Sequence, residues 1–436
     1  MNNNETIFAL SSGNGKSGVA VIRVSGDDLY NLFLKITNRK SADARHAYFA
    51  NFRDDTGDLI DQIIAIYFSA PHSFTGSDII EIHCHGAPAV IEKIFEYLRD
   101  MGGRMATAGE FSRRAFYNNK MDLADIDGLA ALLDAQTDVQ RKSALASMLG
   151  GDSAIYNTWR NQMIEISAYA AAMLDYADDE LPTNIGKTIR EKTKKLYDEI
   201  NIAISRYTAV RAIRGGFNVT LIGKTNVGKS SLFNAILGAN RAIVSDTPGT
   251  TRDVVSATID IDGYMVNLSD TAGIRRATNT IEKIGIERTK SEIENADIII
   301  NVQSAKNKIK KPLHPAKNEI YVVNKSDIGT HEHIRGIIYT STKTGNGIKK
   351  LITAIGKKIS HIANGAESSV AVNARTRALL NDAADELKNA LDAGTENYDI
   401  FSEHTRRAAD AIGKILGTIT ASEVLDATFS QLCLGK

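Results

Sequence analysis

The sequence has very little cysteine, no long apolar run and no excess of charge of either sign. Cys84 and Cys433 are the only cysteines in 436 residues, so no disulfide framework is implied and a reducing compartment is expected. No apolar stretch reaches the ~20 residues that a membrane-spanning helix needs. The start, Met1–Glu5, has neither the basic region of a signal peptide nor the Arg-rich pattern of a transit sequence. A cytoplasmic protein is therefore predicted.

The charges balance, with 52 Lys plus Arg against 52 Asp plus Glu. A protein that binds nucleic acid by non-specific phosphate contact is usually basic, so a nucleic-acid partner would have to be reached through local patches. Hydrophobic residues make up 43% and charged residues 24%, which is typical of a globular protein. The length suggests two or three domains.

Residues 1–118 alternate β-rich runs with helical stretches, which predicts an α+β domain. Helices are predicted at Asp27–Ile36 and Pro88–Met101. Runs rich in Ile, Val, Phe and Tyr predict five strands, at Thr6–Leu10, Val19–Val24, Ala47–Phe52, Gln62–Phe68 and Ile79–His83.

From Asp122 onward, apolar residues recur every three or four positions, which indicates long helices with a break at Pro182. The same spacing returns after residue 362. The predicted helix faces carry Ile155, Trp159, Met163, Ile166, Ala170 and Met173, then Leu196, Ile200, Ile204 and Tyr207, then Leu379, Leu380, Ala383, Leu387 and Leu391, and finally Ile412, Ile415, Leu416 and Ile419.

Residues 215–362 have α/β character, which predicts a mostly parallel sheet with crossover helices. The predicted strands are Phe217–Ile222, Tyr264–Ser269, Asp297–Val302, Glu319–Asn324 and Gly336–Thr340. The flanking helical pieces, 119–214 and 363–436, look too small and one-sided to bury their apolar faces alone. We therefore predict an α/β domain inserted into a discontinuous helical domain, and a plain succession of domains is the alternative.

The segment Gly223–Ser230 fits the P-loop pattern Gly-x4-Gly-Lys-Ser, with a strand before it and a helix from about Lys229. Its backbone N–H groups can face phosphate oxygens. Lys229 supplies a cation for the β- and γ-phosphates, and the Ser230 hydroxyl can bind magnesium. Gly13–Ser17 also contains Gly-Lys-Ser, but Leu10 occupies the first glycine position and a strand follows. We interpret it as a loop without a nucleotide role.

Three further motifs follow the P-loop in the order that a GTP site needs. Asp327 can accept two hydrogen bonds from guanine, which adenine cannot donate. Asp270 supports the magnesium ion, and Thr251 offers it a second hydroxyl. The predicted GTP-binding residues are Asn226, Val227, Gly228, Lys229, Ser230, Ser231, Ser245, Asp246, Thr247, Pro248, Gly249, Thr250, Thr251, Asp270, Thr271, Ala272, Gly273, Asn324, Lys325, Asp327, Ser341, Thr342 and Lys343. GTP binding and hydrolysis are therefore predicted.

Ile274 follows the Asp-x-x-Gly motif, where a Ras-like GTPase has its catalytic Gln. An apolar side chain cannot orient the attacking water. The following segment offers Arg275, Arg276, Glu282 and Glu287, and the sequence alone favours solvated loop charges for all four.

The whole chain resembles the MnmE (TrmE) family of tRNA-modification GTPases. The motifs that carry the resemblance are Val21–Gly26, Pro71–Gly76, His83–Gly86, Gly109–Ser112, Asn118–Leu123, Gly249–Asp253, Ile284–Arg288 and the closing Cys433–Lys436. The resemblance implies an N-terminal domain that dimerises and binds a tetrahydrofolate one-carbon derivative, with Arg23, Glu81, Lys120 and Lys436 as folate ligands. A structural ion pair between Arg23 and Glu81 is the alternative.

The resemblance also implies a partner and a mechanism. With the flavoprotein MnmG (GidA), the family adds an aminomethyl or carboxymethylaminomethyl group to carbon 5 of the wobble uridine of certain tRNAs. Two GTPase domains meet across their switch loops, and a potassium ion takes the place of an arginine finger. Asn226, Ser245, Thr247 and Thr250 are the implied potassium ligands, and Glu282 is the implied catalytic residue that orients water.

Two other functions remain open. A regulatory or ribosome-assembly GTPase would use the same P-loop domain as a timer on RNA. A folate-dependent, methyltransferase-like binding protein would use GTP only for regulation. The N-terminal motifs around Arg23, Glu81 and Lys120 favour the tRNA-modification enzyme, because ribosome-assembly GTPases resemble only residues 215–362.

Overall fold

The computed structural model describes residues 5–175, 185–240, 255–270, 293–309, 318–328, 334–366, 370, 373–394, 397–418 and 435. The chain divides into two compact units. The first comprises Met1–Ala130, Met148–Arg160 and Ala409–Lys436, and the second comprises Ala131–Ser147 and Asn161–Ala408. Within the described residues, none of the helices has the length and apolarity needed to cross a bilayer.

The first unit is built on a six-stranded sheet whose strand order is β3-β4-β5-β2-β1-β6. All pairs are antiparallel except β1 with β6. The strands are β1 (Ile7–Leu10), β2 (Ser17–Gly26), β3 (Ala47–Arg53), β4 (Leu59–Phe68), β5 (Asp78–Gly86) and β6 (Arg104–Met105). The five predicted strands are confirmed with shifted ends, and β6, which has only two residues, was missed.

Helices α1 (Tyr30–Thr37) and α2 (Pro88–Asp100) carry buried apolar residues that join the core on one face of this sheet. Alternate residues of β2 and β5, such as Ile22 and Ile82, are buried in that core, as period-two alternation requires. The opposite face is open over β2–β5: Phe49 is 62% exposed and Ile64 is 44% exposed. Phe49, Ile64, His83 and Val21 lie opposite one another across these four strands.

Helices follow; those after Asp122 were predicted, and the helix at Glu110–Tyr117 was missed. They are α3 (Glu110–Tyr117), α4 (Leu123–Leu133), α5 (Asp138–Met148), α6 (Gly151–Asp175), α7 (Ile185–Ser205) and α8 (Tyr207–Gly215). In α6 the predicted face is confirmed at Trp159, Met163, Ile166 and Ala170, with Tyr156 buried beside them and Ile155 half-buried. Met173, also predicted for this face, has a side chain outside the described residues.

In α7 the predicted face is correct at Leu196 and Ile200 but wrong at Ile204, which is only half-buried. Ala203 is buried instead, because the buried face of α7 takes the three-residue step after Ile200 and not the four-residue step to Ile204. Since α7 ends at Ser205, Tyr207 belongs to α8 and is half-buried there.

The helical region of the chain is discontinuous, as predicted. Helices α11 (Ala374–Ala393) and α12 (Tyr398–Leu416) come after residues 217–363 of the α/β domain, and α11 packs against α7, which precedes it. Arg190 in α7 donates to the Leu391 carbonyl at 3.3 Å, and the Arg377 guanidinium lies 4.5 Å from the Tyr207 ring centre. The boundaries at 118, 214 and 362 stay predictions.

The α/β domain has a second six-stranded sheet with the order β12-β11-β10-β7-β9-β8, in which only β8 and β9 are antiparallel. The strands are β7 (Phe217–Gly223), β8 (Val255–Ile261), β9 (Tyr264–Asp270), β10 (Ile298–Ser304), β11 (Glu319–Asn324) and β12 (Ile337–Tyr339). Edge strand β8 was missed, although its alternation of polar and apolar residues was a signal that could have found it. The mostly parallel sheet is confirmed.

One face of this sheet packs against α9 (Lys229–Ala239) and α10 (Ile348–Ala363) in a shared apolar core. The other face is polar, because Asn301, Gln303 and Tyr321 alternate with core residues along β10 and β11. A cavity of about 740 Å³ lies over this polar face. Parallel strands place their carboxyl ends at one edge, and the loops that follow β7, β10, β11 and β12 meet there.

Candidate functional site

The P-loop connects β7 to α9 with a backbone that only certain residues allow. Gly228 has a φ of +94°, and a Cβ there would come within 2.4 Å of the Asn324 side-chain nitrogen. Asn226 also has a positive φ of 62°, which asparagine tolerates better than most residues. The predicted loop and the helix starting at Lys229 are therefore confirmed in position.

Lys229 is 6% exposed and lies inside the P-loop. Its Nζ donates to the carbonyls of Gly223 and Lys224, each at 3.0 Å. These contacts hold the ammonium group beside the loop backbone, where phosphate oxygens bind in a P-loop protein. Ser231 follows on the first turn of α9 with an exposed side chain.

The structure brings together two oxygens that sequence reasoning assigned to magnesium. Ser230 Oγ donates to Asp270 Oδ2 at 2.6 Å, and Asp270, at the end of β9, is 1% exposed. A hydroxyl and a carboxylate are hard oxygen donors of the kind that Mg²⁺ prefers. The donor set therefore fits the ion.

Asn324 ties the end of β11 to the P-loop. Its Nδ2 donates to the carbonyls of Val227 and Gly228, both at 3.3 Å, and its side chain is fully buried. Lys325 Nζ donates to the Asn226 carbonyl at 2.7 Å. Hydrogen bonds within the protein thus join the phosphate-binding segment to the base-binding segment.

Asp327 is fixed by the loop that follows β12. Ser341 Oγ, which is buried, donates to Asp327 Oδ1 at 2.6 Å. This hydrogen bond lowers the pKa of the Asp327 carboxyl below its ordinary value, and Lys343 and Lys306 lower it further. The carboxylate is therefore charged at neutral pH and can accept from guanine. Thr342 is half-buried and Lys343 is exposed beside it.

A second candidate site lies on the N-terminal sheet. Arg23 donates to Glu81 Oε1 from Nε at 3.2 Å and from Nη2 at 2.8 Å, so the two predicted folate ligands form the ion pair that was their alternative role. Arg23 Nη1 also donates to the Gly435 carbonyl at 3.3 Å. The Phe74 and Phe111 ring centres lie 5.3 and 5.9 Å from the guanidinium.

Lys120 is not bonded to this pair; its Nζ donates to the Pro71 carbonyl at 3.0 Å. Sequence reasoning missed His83, which lies beside Glu81 with its Nε2 3.7 Å from Glu81 Oε2. That nitrogen is buried without a hydrogen-bond partner among the described atoms. Its place two residues after Glu81 on β5 was a signal, since alternate strand residues share a face.

Comparison with known families covers nearly the whole chain. The family description "GTP-binding protein TrmE N-terminus" matches residues 6–120, and "MnmE helical domain" matches residues 123–433. The chain belongs to the MnmE family of tRNA modification GTPases. Membership in the MnmE family, together with the site described above, makes the chain a GTP-binding protein and a GTP hydrolase, as predicted.

Two relatives show how far the similarity to MnmE extends. A tRNA modification GTPase MnmE from Agrobacterium fabrum is 38% identical over 437 residues, with 99% of this chain and 99% of its own covered. The one from Brucella ovis is 36% identical, with 99% and 98% covered. A solved G domain of the T. maritima FeoB iron transporter is 28% identical over 34% of this chain, with 98% of its own chain covered and a TM-score of 0.25.

Several predicted MnmE site residues lie outside the described residues. They are Ser245, Asp246, Thr247, Pro248, Gly249, Thr250, Thr251, Thr271, Ala272, Gly273, Glu282 and Lys436. Their roles stay predictions.

Proposed function

We propose that this chain hydrolyses GTP in the service of tRNA modification. With the flavoprotein MnmG (GidA), it adds an aminomethyl or carboxymethylaminomethyl group to carbon 5 of the wobble uridine of certain tRNAs. GTP hydrolysis is supported by two sets of contacts at one sheet edge, in which Asn324 holds the P-loop and Ser341 holds Asp327. The names of relatives that match nearly the whole chain support the tRNA half.

Each part of the site has a distinct task in binding GTP. Backbone N–H groups of residues 226–231 surround the phosphates, and Lys229 neutralises the β- and γ-phosphates. Ser230 and Thr251 bind magnesium, and Asp270 holds the magnesium shell through Ser230. Magnesium supplies charge neutralisation to the phosphates when it is bound. Asp327, held by Ser341, selects guanine.

Hydrolysis needs a second cation and a group that orients water, because Ile274 cannot serve. We assign the cation to potassium, with Asn226, Ser245, Thr247 and Thr250 as its oxygen ligands. Asn226 supports this role, since its side chain is exposed while its carbonyl is engaged by Lys325. Glu282 orients the attacking water when two GTPase domains meet.

The N-terminal unit binds a tetrahydrofolate one-carbon derivative through Arg23, Glu81, Lys120 and Lys436. The donor set fits the ligand, because Arg23 can bind a carboxylate or pterin oxygen and Glu81 can accept from pterin N–H groups. The unpartnered His83 Nε2 adds a polar atom that a ligand could satisfy. The hydrogen bond from Arg23 to the carbonyl of Gly435, the residue before Lys436, supports the inclusion of Lys436.

The open face of the N-terminal sheet supports a homodimer. Phe49 and Ile64 are exposed side by side on β3 and β4, and Val19 on β2 is 59% exposed. A second copy could bury these apolar side chains. Light scattering should give a dimer at micromolar concentration, and Phe49→Asp with Ile64→Asp should give a monomer. A monomeric parent chain would remove this claim.

Mass spectrometry of wobble uridines tests the whole proposal. Cells that lack the chain should lose the carbon-5 modification, the parent chain should restore it, and Lys229→Ala should not. Lys187→Ala, which changes an exposed lysine of α7, is the matched control and should restore it. Unchanged uridines in cells without the chain would contradict the tRNA half and leave GTP hydrolysis to be judged by its own assay.

A further inference from the structure

Charge is unevenly distributed along a chain whose net charge is zero. Residues 303–361 contain eleven lysines and one arginine against three acidic residues, a net charge of +9. The rest of the chain therefore carries the compensating −9. Like charges repel, so such a concentration lowers the stability of the free domain unless a polyanion neutralises it.

The fold gathers part of this charge at one edge of the second sheet. Lys306 and Lys308 follow β10, Lys343 follows β12, and Lys349 and Lys350 begin α10. All five side chains are exposed. Lys306 follows Ala305, whose N–H donates to the Asn324 carbonyl at 2.9 Å, and Lys343 lies two residues after Ser341, whose Oγ donates to Asp327 at 2.6 Å. Both lysines therefore lie beside the guanine end of the GTP site. We call these five residues the lysine surface.

The lysine surface differs from the other lysine-rich surface of the second unit. On α7, Lys187, Lys194 and Lys195 each pair with a carboxylate four residues later. Among the described residues, no salt bridge includes a member of the lysine surface. The lysine charges of α7 are therefore neutralised by nearby carboxylates, whereas the ammonium groups of the lysine surface are exposed to solvent.

We propose that the lysine surface binds the phosphate backbone of tRNA. This proposal rests on the proposed function in tRNA modification. Lysine ammonium groups are point charges on flexible stems that bind phosphates without reading sequence. The surface would hold tRNA to the GTPase domain at the edge where guanine binds.

An acidic protein segment is the alternative ligand of the lysine surface. Such a segment would also be attracted, but a stable protein interface needs an apolar centre. The five members of the lysine surface provide no apolar side chain. Phosphates are therefore the better match.

The test compares two triple variants of the full-length chain by fluorescence anisotropy with labelled tRNA. Lys308→Gln, Lys349→Gln and Lys350→Gln neutralise the lysine surface without touching Lys306 or Lys343. Lys187→Gln, Lys194→Gln and Lys195→Gln are the matched control on α7. Binding is measured from about 50 to about 200 mM salt, a range in which phosphate contacts weaken steeply.

The lysine-surface variant should bind tRNA at least about tenfold more weakly at the midpoint of the range. The slope of log affinity against log salt concentration should be smaller in magnitude by about two, since each lost phosphate contact removes roughly 0.7–0.9 from it. The control should match the parent chain. GTP hydrolysis should be unchanged in both, which also shows that both are folded.

Three results would overturn the proposal. They are equal tRNA affinity and slope in the parent and the lysine-surface variant, equal losses in both triple variants, and no tRNA binding by the parent chain. Labelled polyglutamate, titrated in the same way, is the probe for an acidic protein segment. If the lysine-surface variant loses polyglutamate binding and keeps tRNA binding, the surface binds an acidic protein segment instead. None of these results touches the wobble-uridine assay, so the proposed function is judged separately.

Discussion

The GTP site and the Arg23–Glu81 site are assembled from the chain in different ways. The GTP site consists of loops that each follow a strand of one mostly parallel sheet, so the sheet itself brings Ser230, Asp270 and Asn324 together. The N-terminal site joins β2, β5 and Gly435, and Arg23 and Gly435 are 412 positions apart. A short motif can specify the first arrangement but not the second.

The sites also differ in what a ligand must displace. Lys229 donates to two backbone carbonyls, whereas Arg23 donates to a carboxylate. A folate that binds Arg23 competes with Glu81 for the same guanidinium. We therefore expect single substitutions to cost more at the GTP site than at the N-terminal site.

The largest effect should come from the proposed catalytic group. Glu282→Ala should bind GTP normally and hydrolyse it about a thousandfold more slowly, the scale that an arginine finger reaches. Single-turnover hydrolysis and nucleotide titration measure the two steps. Glu287→Ala, a neighbouring charge change, should be close to the parent, and full activity of Glu282→Ala would refute the assignment.

Potassium is tested with the same assay. Hydrolysis should be fast in potassium and slow in sodium, and Asn226→Ala should lose that difference. Since Asn226 has a positive φ, Asn226→Gly removes the side-chain oxygen without backbone strain and should behave in the same way. Equal rates of the parent in both salts would remove the potassium site and leave the GTP site intact.

A smaller loss is expected from Asp327→Asn. It should weaken GTP binding about a hundredfold, because two hydrogen bonds to a charged acceptor are lost and a donor faces guanine's donors. Xanthosine triphosphate should be preferred instead, since its carbonyl complements the amide. Competition titration with both nucleotides measures this. Asp385→Asn, an exposed change on α11, is the control, and GTP affinity equal to the parent's would show that Asp327 does not read the base.

At the N-terminal site, Arg23→Ala and Glu81→Ala should each weaken binding of a reduced folate about tenfold by isothermal titration. The control is Arg99→Ala, which breaks a more exposed ion pair of similar length, with Glu92 at 2.9 Å on α2. If both variants keep the parent's affinity, Arg23 and Glu81 are only a structural pair.

The same contrast explains how much could be predicted. The P-loop, the Asp327 loop and the discontinuous helical domain follow from local motifs and periodicity, and the structure agrees. The hydrogen bond from Lys325 to Asn226, the approach of Gly435 to Arg23 and the polar face around Tyr321 depend on residues far apart in sequence. Periodicity also failed at Ile204, because a helix allows both a three-residue and a four-residue step after Ile200 and the structure buries Ala203.

The smallest effect on GTP binding should come from Ser341→Ala. This substitution removes the hydroxyl that orients the Asp327 carboxylate and leaves the carboxylate in place. Ser341 is held by hydrogen bonds from its N–H to the Asn346 carbonyl at 3.0 Å and from Gly345 N–H to its own carbonyl at 2.9 Å. Its hydroxyl therefore holds Asp327 in a fixed direction. Removing one such bond should weaken GTP binding about fivefold at neutral pH.

The pH dependence gives Ser341→Ala a signature of its own. The hydroxyl lowers the pKa of the Asp327 carboxyl, so the parent keeps its charged acceptor until the pH falls through that lowered pKa. In Ser341→Ala the pKa returns toward its ordinary value, and the acid loss of GTP binding should begin at higher pH. The preference for GTP over xanthosine triphosphate should persist at neutral pH, because Asp327 stays ionised there. Ser360→Ala, an exposed serine of α10, should show neither change. A switch to xanthosine triphosphate in Ser341→Ala would mean that the direction of the carboxylate, more than its charge, selects guanine.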